Sequence, residues 1–289
     1  MKGHMIVLDH VGGFEAAAYL VDGKLDDILI DDQDAPRPGA IFRGICDRPI
    51  KGQGGMLLRL PDGQTGFLRA AKGLRPGQSV LVQVTGYSDA GKAVPVTDRV
   101  LFKSRYAIVT PGKPGRNISR QIMDDDRRDQ LLAIAHEVFE SEYGLILRSS
   151  CSEATDEEIS EDIMAMLSMA ETVLADAQGT RPEALTEGDS PHTLAWREWH
   201  GRATVETEPG GLENHGVLDQ LLQIHDPMVR IGEGTMYVEP TRACVAVDVN
   251  TGNDMSPSAA LKPNLAAARA LPRALRLRGV AGQICIDFV

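Results

Sequence analysis

Short apolar runs fill the first hundred positions of the chain, and Gly, Pro or Asp-Gly turns separate them. Three runs between residues 5 and 31 predict strands joined by tight turns at Gly12-Gly13 and Asp22-Gly23. Beyond a Pro- and Gly-rich break at 34–40, five further runs lie at 41–48, 54–60, 65–70, 79–88 and 92–102. Because no helical period interrupts these five runs, we predict a small β-barrel of the OB type over residues 39–100.

Helical periodicity begins only after residue 120, and a basic segment at 101–120 reads as a linker. The predicted helices are 124–142, 155–177, 192–201, 215–226 and 264–278, the last with Pro263 in its first turn and a kink at Pro272. The predicted strands are 144–150, 181–191, 228–231, 235–240, 243–249 and 282–289. The pattern therefore indicates a mixed α/β (α+β) chain with an all-β module inserted early.

Charge is distributed unevenly, although the formal net charge of -11 argues at first against a nucleic-acid partner. Residues 151–190 hold eleven acids and one base, which is typical of one solvated acidic face. By contrast, 101–120 holds five bases and no acid, and 241–289 holds six bases against three acids. A polyanion meets local surfaces, so the composition leaves RNA or DNA open as a partner.

The cysteines and the apolar runs indicate a location. No run approaches the ~20 apolar residues of a membrane span, and the first residues lack a signal-peptide pattern. We therefore expect a cytoplasmic protein without a membrane partner. The four cysteines, Cys46, Cys151, Cys244 and Cys285, form no CxxC pair, which predicts reduced and mostly buried thiols and no zinc site.

The predicted barrel carries a candidate nucleic-acid surface. Phe67 would provide a stacking face, and bases at Lys51, Arg59, Arg69 and Lys72 would follow the phosphates. The alternative is that Phe67 belongs to the barrel core.

Two acidic residues end two apolar strands near the C-terminus. Asp248 and Asn250 are two apart and share one face of their strand, and Asp287 follows Ile284, Cys285 and Ile286 in the same way. A strand–helix–strand connection makes such strands parallel and brings their C-terminal ends together. Two facing carboxylates repel unless a proton or a cation separates them, so the pattern favours a hard cation. Strand-end capping or salt bridges to Arg276 and Arg278 are the alternative.

The helix between these strands is rich in cations. Lys262, Arg269, Arg273, Arg276 and Arg278 are candidate phosphate contacts. A cation beside them would position water and stabilise phosphate charge.

These same residues resemble a known family. VAVDVNTG at 245–252, followed by KPNLAAARALPRALRLRGVAGQICIDF at 262–288, closely resembles the catalytic region of the ribonuclease E/G family. GLILRSS at 144–150 resembles the strand that bears the family's 5′-phosphate sensor, and PGKPGRNISRQI at 111–122 resembles the loop entering it. Residues 39–100 resemble the family's inserted OB-fold RNA-binding domain. The resemblance covers nearly the whole chain.

The resemblance implies cleavage of single-stranded RNA with one Mg²⁺, or alternatively Mn²⁺, held by Asp248 and Asp287 and supported by Asn250. It implies a 5′-monophosphate sensor at Arg148 and Ser149. The implied RNA contacts are Phe67, Lys72, Lys103, Arg105, Arg276 and Arg278. The implied domains are a split RNase H-like domain at 1–38 and 181–225, the barrel at 39–100, a sensor region at 101–180 and a DNase I-like catalytic subdomain at 226–289.

The chain also departs from the family pattern. Leu57 stands where the family has a second stacking aromatic, and the chain ends two residues after Asp287, so we expect an incomplete catalytic subdomain. A homo-oligomer is compatible with the sequence, but the family's cysteine-rich zinc link is absent. We thus expect a metal-dependent endoribonuclease in RNA processing or decay. The alternatives are a non-catalytic RNA-binding protein that keeps the RNA-handling domains, and a fragment without a stable fold of its own.

Overall fold

The computed structural model describes residues 3–32, 34–50, 52, 54–88, 91–199, 201–252 and 260–289. Lys51, one of the candidate barrel bases, lies outside these residues. The chain forms two compact units, one of Met1–Ile30 with Arg202–Val289 and one of Asp31–Gly201. The predicted domain segment 181–225 is therefore divided between the two units at residue 201.

The described residues form eighteen strands and six α-helices. The strands are β1 (His4–Val11), β2 (Phe14–Val21), β3 (Lys24–Ile30), β4 (Ile41–Ile50), β5 (Gly55–Arg59), β6 (Thr65–Leu68), β7 (Ser79–Val84), β8 (Val94–Thr97), β9 (Phe102–Lys103), β10 (Ala107–Thr110), β11 (Gly115–Ile118), β12 (Gly144–Leu147), β13 (Glu183–Thr186), β14 (Ala203–Glu206), β15 (Met228–Ile231), β16 (Gly234–Pro240), β17 (Val245–Asn250) and β18 (Ile284–Asp287). The helices are α1 (Asp125–Val138), α2 (Asp156–Ala175), α3 (Pro191–Glu198), α4 (Gly211–Asn214), α5 (Val217–Ile224) and α6 (Leu261–Leu277).

The first sheet has the order β14-β1-β2-β3. The three predicted N-terminal strands form an antiparallel meander, and β14 pairs in parallel with β1. Leu212 of α4 and Val217 of α5 complete a core with apolar side chains of the meander. The sequence did not predict β14 or α4, because each has only four residues and depends on a partner some two hundred positions away.

The predicted barrel is confirmed as a closed five-stranded barrel, consistent with an OB-fold. Its order is β4-β5-β6-β8-β7, closed by the pairing of β7 with β4, and β6 runs parallel to β8. Apolar side chains of all five strands fill the interior, among them Cys46, Leu58, Leu68, Val82 and Val96. Strand β13 is not part of the barrel and pairs with the first residues of β4, Ile41 to Arg43.

The segment 101–120 is not a linker, contrary to the prediction. It contains β9, β10 and β11, which join β12 in a sheet of order β11-β12-β10-β9. The alternate residues Ala107 and Val109 pack into a core with Leu131 and Phe139. The sequence of this segment therefore has the two-residue period of a strand, but over too few residues to stand out. The guanidinium of Arg116 donates to carbonyls at the end of α1, which explains a base in a β segment.

Helix α2 packs on this sheet and begins with a capping box between Thr155 and Glu158. Its acids are not all solvated: the carboxylate of Asp162 accepts hydrogen bonds from the backbone N–H groups of Tyr106 and Ala107, at 2.9 and 3.1 Å. Asp162 thus fixes the start of β10 against the helix.

The last sheet has the order β15-β16-β17-β18. The first three strands are antiparallel, and β18 runs parallel to β17 after the crossover through α6. Val245, Val247 and Val249 pack against Ala267 and Ala274 of that helix. Among the described residues, no helix combines the length and apolarity needed to cross a bilayer.

Candidate active site

The two strand-end carboxylates are direct neighbours. In the parallel pair β17–β18, Asp248 is the register partner of Asp287, and Val247 that of Ile286. Register partners in a parallel pair point to the same face of the sheet, and adjacent strands lie about 4.8 Å apart. The valines of β17 face α6, so Asp248 and Asp287 project from the opposite, exposed face. The predicted parallel arrangement is confirmed.

Asn250 forms a hydrogen bond with one of these carboxylates. Its Nδ2 donates a hydrogen bond of 2.7 Å to Oδ2 of Asp248, and both side chains are exposed. The bond fixes one oxygen of Asp248 and leaves the carboxylate pair with several free acceptor positions. This oxygen-only donor set suits a hard divalent cation. Within the described residues no cluster of three or more His, Cys, Asp or Glu forms a metal cage, so these two carboxylates are the whole charged set.

The arginines of α6 are engaged elsewhere in the same unit. Arg273 donates to the carbonyl of Leu25, and Arg276 donates to the carbonyl and the carboxylate of Asp26, the latter at 2.7 Å. Arg278 donates to the carbonyl of Asp226 at 2.8 Å. The suggested salt bridges from Arg276 and Arg278 to the strand-end acids are therefore wrong. These arginines attach α6 to neighbouring backbone.

Lys262 and Arg269 on the same helix are exposed. A cleft of about 330 Å³ beside Lys262 lies between the β15–β16 turn, Gly252 and the first turn of α6. Arg276 is exposed as well, but its guanidinium binds Asp26, so Lys262 and Arg269 are the exposed cations of the helix that take no part in these attachments.

The predicted sensor arginine is held by its own unit. Arg148 follows β12, and its guanidinium donates to the carbonyl of Ser104 at 2.6 Å and to the carboxylate of Glu198 at 2.5 Å. Burial opposes the ionisation of Glu198, yet the nearby cations, Arg148 first among them, hold the pKa of its carboxyl below its ordinary value. Sequence reasoning missed Glu198, which is fifty positions from Arg148 and belongs to no motif.

Ser149 opens a short 3₁₀ turn, Ser149–Ser152, and lines a cleft of about 470 Å³. Arg105 lines the same cleft. Its guanidinium lies 4.9 Å from the ring centroid of Trp196 and donates to the Trp196 carbonyl. The cation that lines this cleft together with Ser149 is therefore Arg105, whereas the guanidinium of Arg148 binds Glu198.

Phe67 lies outside the barrel core. It is half-buried, and its register partners on the neighbouring strands are Leu57 and Pro95. A Cβ at Gly55 would come within 2.4 Å of its ring, so the glycine makes room for the aromatic side chain. The barrel therefore presents one ring and two aliphatic neighbours on its outer face, with Arg59, Arg69 and Lys72 exposed nearby in sequence. Lys103 is also exposed and forms an ion pair with Glu198.

Comparison with known proteins gives one family and several relatives. The model described as "Ribonuclease E/G family" matches residues 102–207 and 200–289. The chain is 28% identical over 256 residues to "Ribonuclease E" of Nostoc sp. (strain PCC 7120 / SAG 25.82 / UTEX 2576), which covers 75% of this chain and 37% of that protein. It is 27% identical over 257 residues to "Ribonuclease E" of Synechocystis sp. (strain ATCC 27184 / PCC 6803 / Kazusa), covering 75% and 38%.

A third relative, "Ribonuclease G" of Escherichia coli (strain K12), is 23% identical over 340 residues, covering 94% of this chain and 68% of that protein. The chain thus matches less than half the length of the two Ribonuclease E proteins and about two thirds of Ribonuclease G.

Proposed function

Because this chain belongs to the ribonuclease E/G family, we propose that it is a divalent-cation-dependent endoribonuclease that cleaves single-stranded RNA. The observation that carries this proposal is the in-register pairing of Asp248 with Asp287 on one exposed sheet face. Two carboxylates brought together by a crossover of about forty residues have little value for folding, since like charges repel. They suit a site that receives a cation.

Asp248 and Asp287 would hold Mg²⁺ or Mn²⁺ through their oxygens, and Asn250 keeps the Asp248 carboxylate in one orientation. When bound, such a cation supplies positive charge against a phosphodiester and makes water a stronger nucleophile. Helix α6 packs on the sheet face opposite the carboxylates. Its exposed Lys262, which lines a cleft with Gly252 just after β17, and its exposed Arg269 would contact RNA phosphates that extend past the sheet edge.

The barrel and the sensor region would bind the RNA. The half-buried ring of Phe67 offers a stacking face, and Lys72 and Lys103 offer exposed charge. We place a 5′-monophosphate in the cleft that Ser149 and Arg105 line. Arg148 would then act as a positioning residue, because its donors are bound to Ser104 and Glu198.

The first test is cleavage of a short, end-labelled, 5′-monophosphorylated single-stranded RNA, with Mg²⁺ and with EDTA, beside filter binding of the same RNA. Asp248→Asn or Asp287→Asn should lower kcat at least ~100-fold while the Kd for RNA changes less than about twofold. Glu239→Gln is a matched control, because Glu239 is another exposed acid of the same sheet. Equal loss of cleavage and binding would contradict the metal-site assignment.

A non-catalytic RNA-binding protein is the second candidate. One observation favours it: Leu57 lies directly opposite Phe67, where a second ring would strengthen stacking, so the barrel surface is reduced relative to the family pattern. Binding of the RNA without Mg²⁺-dependent cutting would support this candidate over the nuclease.

A further inference from the structure

Helix α3 leaves a large aromatic side chain in solvent. Its residues Pro191 and Ala195 are buried, whereas Trp196 is 52% exposed. Burial of an indole is favourable, and tryptophan is common where one of its ring faces meets a ligand or a partner. The exposed indole of Trp196 is therefore a candidate contact for a ligand.

A guanidinium covers one face of this indole. The central carbon of the Arg105 guanidinium lies 4.9 Å from the ring centroid of Trp196, within the range of a cation–π contact, and the guanidinium donates to the Trp196 carbonyl. The ring of Tyr106 lies 5.8 Å from the same carbon. An arginine has five N–H donors, and the bond to Trp196 comes from Nη1 alone. Arg105 is thus held in place and keeps donors for an anion.

Arg105 connects the indole to the cleft that Ser149 lines. Arg105 and Tyr106 both line this cleft of about 470 Å³. The hydroxyl of Ser150 donates to the carbonyl of Arg105, so the backbone of Arg105 is attached to the 3₁₀ turn while its side chain reaches Trp196. A phosphate that contacts the Arg105 guanidinium therefore lies close to the indole.

The group next to a terminal phosphate in RNA is a nucleobase. A 5′-terminal nucleotide carries its base on the same ribose as its phosphate, and every base has a flat face that stacks on aromatic side chains. Since Arg105 covers one face of Trp196, the exposed area of this side chain belongs to the rest of the ring. The cation beside the ring favours an anionic ligand over a purely apolar one.

We propose that Trp196 stacks on the first base of a 5′-monophosphorylated RNA whose phosphate contacts Arg105 and Ser149. This inference rests on the 5′-monophosphate site of the proposed function and adds a base contact to it. Stacking is tolerant of sequence, but purines present the larger face and stack more strongly. The contact therefore gives a modest preference for RNA that begins with adenine or guanine.

The alternative role for Trp196 is to hold Arg105 and nothing more. The two roles differ in one measurable respect. Loss of a positioning residue weakens the binding of every 5′-monophosphorylated RNA alike. Loss of a stacking residue weakens only the binding of RNAs that carry a base at the first position.

The test measures binding in EDTA, so it does not require cleavage. Filter binding compares three 5′-monophosphorylated RNAs of one sequence: one with adenine first, one with an abasic first nucleotide and one with an abasic third nucleotide. We expect the parent chain to bind the adenine-first RNA ~10-fold more tightly than the RNA with the abasic first nucleotide. In Trp196→Ala this ratio should fall below about twofold, while the ratio for the third nucleotide stays as in the parent. Trp196→Phe should restore part of the lost ratio.

Fluorescence provides a second measurement. The chain has two tryptophans, so Trp199→Phe leaves Trp196 as the single indole. The adenine-first RNA should quench the emission of Trp196, and the RNA with the abasic first nucleotide should not. If Trp199→Phe does not fold, the same difference between the two RNAs should appear in the parent chain and be absent in Trp196→Phe.

The stacking proposal is overturned if Trp196→Ala weakens the binding of all three RNAs equally, or if the adenine-first RNA binds without quenching Trp196. Failure of the underlying phosphate site has a different signature. It appears as equal Kd values for the 5′-monophosphate and 5′-hydroxyl forms of the adenine-first RNA in the parent chain. That result would overturn the phosphate site and with it the placement of the first base.

Discussion

At the scale of single residues, the structure separates side chains with the same chemistry by what they already contact. Arg148 and Arg105 lie near the same 3₁₀ turn, yet the donors of Arg148 reach a carbonyl and Glu198 while Arg105 lines the cleft. A guanidinium that is already satisfied contributes less new binding energy than an accessible one. The residue type alone does not reveal which of the two arginines is already bound.

We predict that Arg105→Ala lowers the preference for 5′-monophosphorylated over 5′-hydroxyl RNA by about tenfold, since a charge-assisted hydrogen bond is worth ~1.5–3 kcal/mol. The measurement is the ratio of kcat/KM values on paired substrates. Arg99→Ala, on another exposed arginine of the same unit, is the control. Unchanged preference in Arg105→Ala with loss of preference in Arg148→Lys would assign the sensor to Arg148.

Glu198 gives a pH prediction. The nearby cations hold its folded pKa below the ordinary value, so the stability from its ionised form is present above the unfolded pKa and is lost as pH falls through the folded pKa. In urea unfolding, Glu198→Gln should therefore be less stable than the parent chain at pH 7. The difference should shrink below about pH 4, near the ordinary glutamate pKa. Glu171→Gln, an exposed acid of α2, should show no such pH-dependent difference.

At the scale of elements, α6 has two kinds of cation. Arg273, Arg276 and Arg278 donate to backbone carbonyls of β3 and of the segment before β15, and Arg276 stays exposed while doing so. The exposed Lys262 and Arg269 take no part in these attachments. The predicted phosphate contacts Arg276 and Arg278 thus have structural partners.

We predict that Arg276→Ala lowers the free energy of unfolding by up to about 1 kcal/mol and changes RNA affinity little, because its ion pair with Asp26 is partly exposed. Arg269→Ala should show the opposite behaviour. Its free energy of unfolding should stay within ~0.5 kcal/mol of the parent chain, and the slope of the logarithm of RNA affinity against the logarithm of salt concentration should fall by about one. Urea unfolding and filter binding at several salt concentrations measure both. A larger affinity loss in Arg276→Ala would restore it as an RNA contact.

The sequence predicted elements where the local pattern is long and misread them where partners are remote. The barrel strands, α2 and the β17–α6–β18 crossover were all visible as periodicity and turns. In contrast, β10, β11 and β14 have four residues each, and their neighbours decide their conformation. The same reason hid the contact of Glu198 with Arg148. The sequence predicted that Asp248 and Asp287 lie close together, because a strand–helix–strand connection makes the two strands parallel and brings their C-terminal ends to one edge.

At the scale of the whole molecule, the net charge of -11 opposes RNA binding at long range, and the exposed bases favour it at short range. The eleven acids of 151–190 include Asp162, which is used inside the fold, and several exposed acids of α2. RNA affinity should then depend on contacts with phosphates and fall steeply with salt.

We predict a decrease in RNA affinity of about 50-fold between 50 and 200 mM salt, as expected for about four phosphate contacts on a single strand. Filter binding of one RNA across this range gives the slope. Lys72→Ala should reduce the slope by about one contact, and Asp62→Asn, at an exposed acid in the β5–β6 turn of the same barrel, should leave the slope unchanged. A slope near zero would exclude the barrel bases as phosphate contacts.

The crossover between β17 and β18 has a kinetic consequence. Asp248 and Asp287 meet only after α6 has formed and the final strand has paired, so their contact carries the loop-closure cost of the intervening segment. Contacts of this sequence separation form late and slow the acquisition of native structure. During refolding, the helical circular dichroism signal should therefore recover before any property that needs both carboxylates. Cation binding at this pair would then report the time at which the last step of folding is complete.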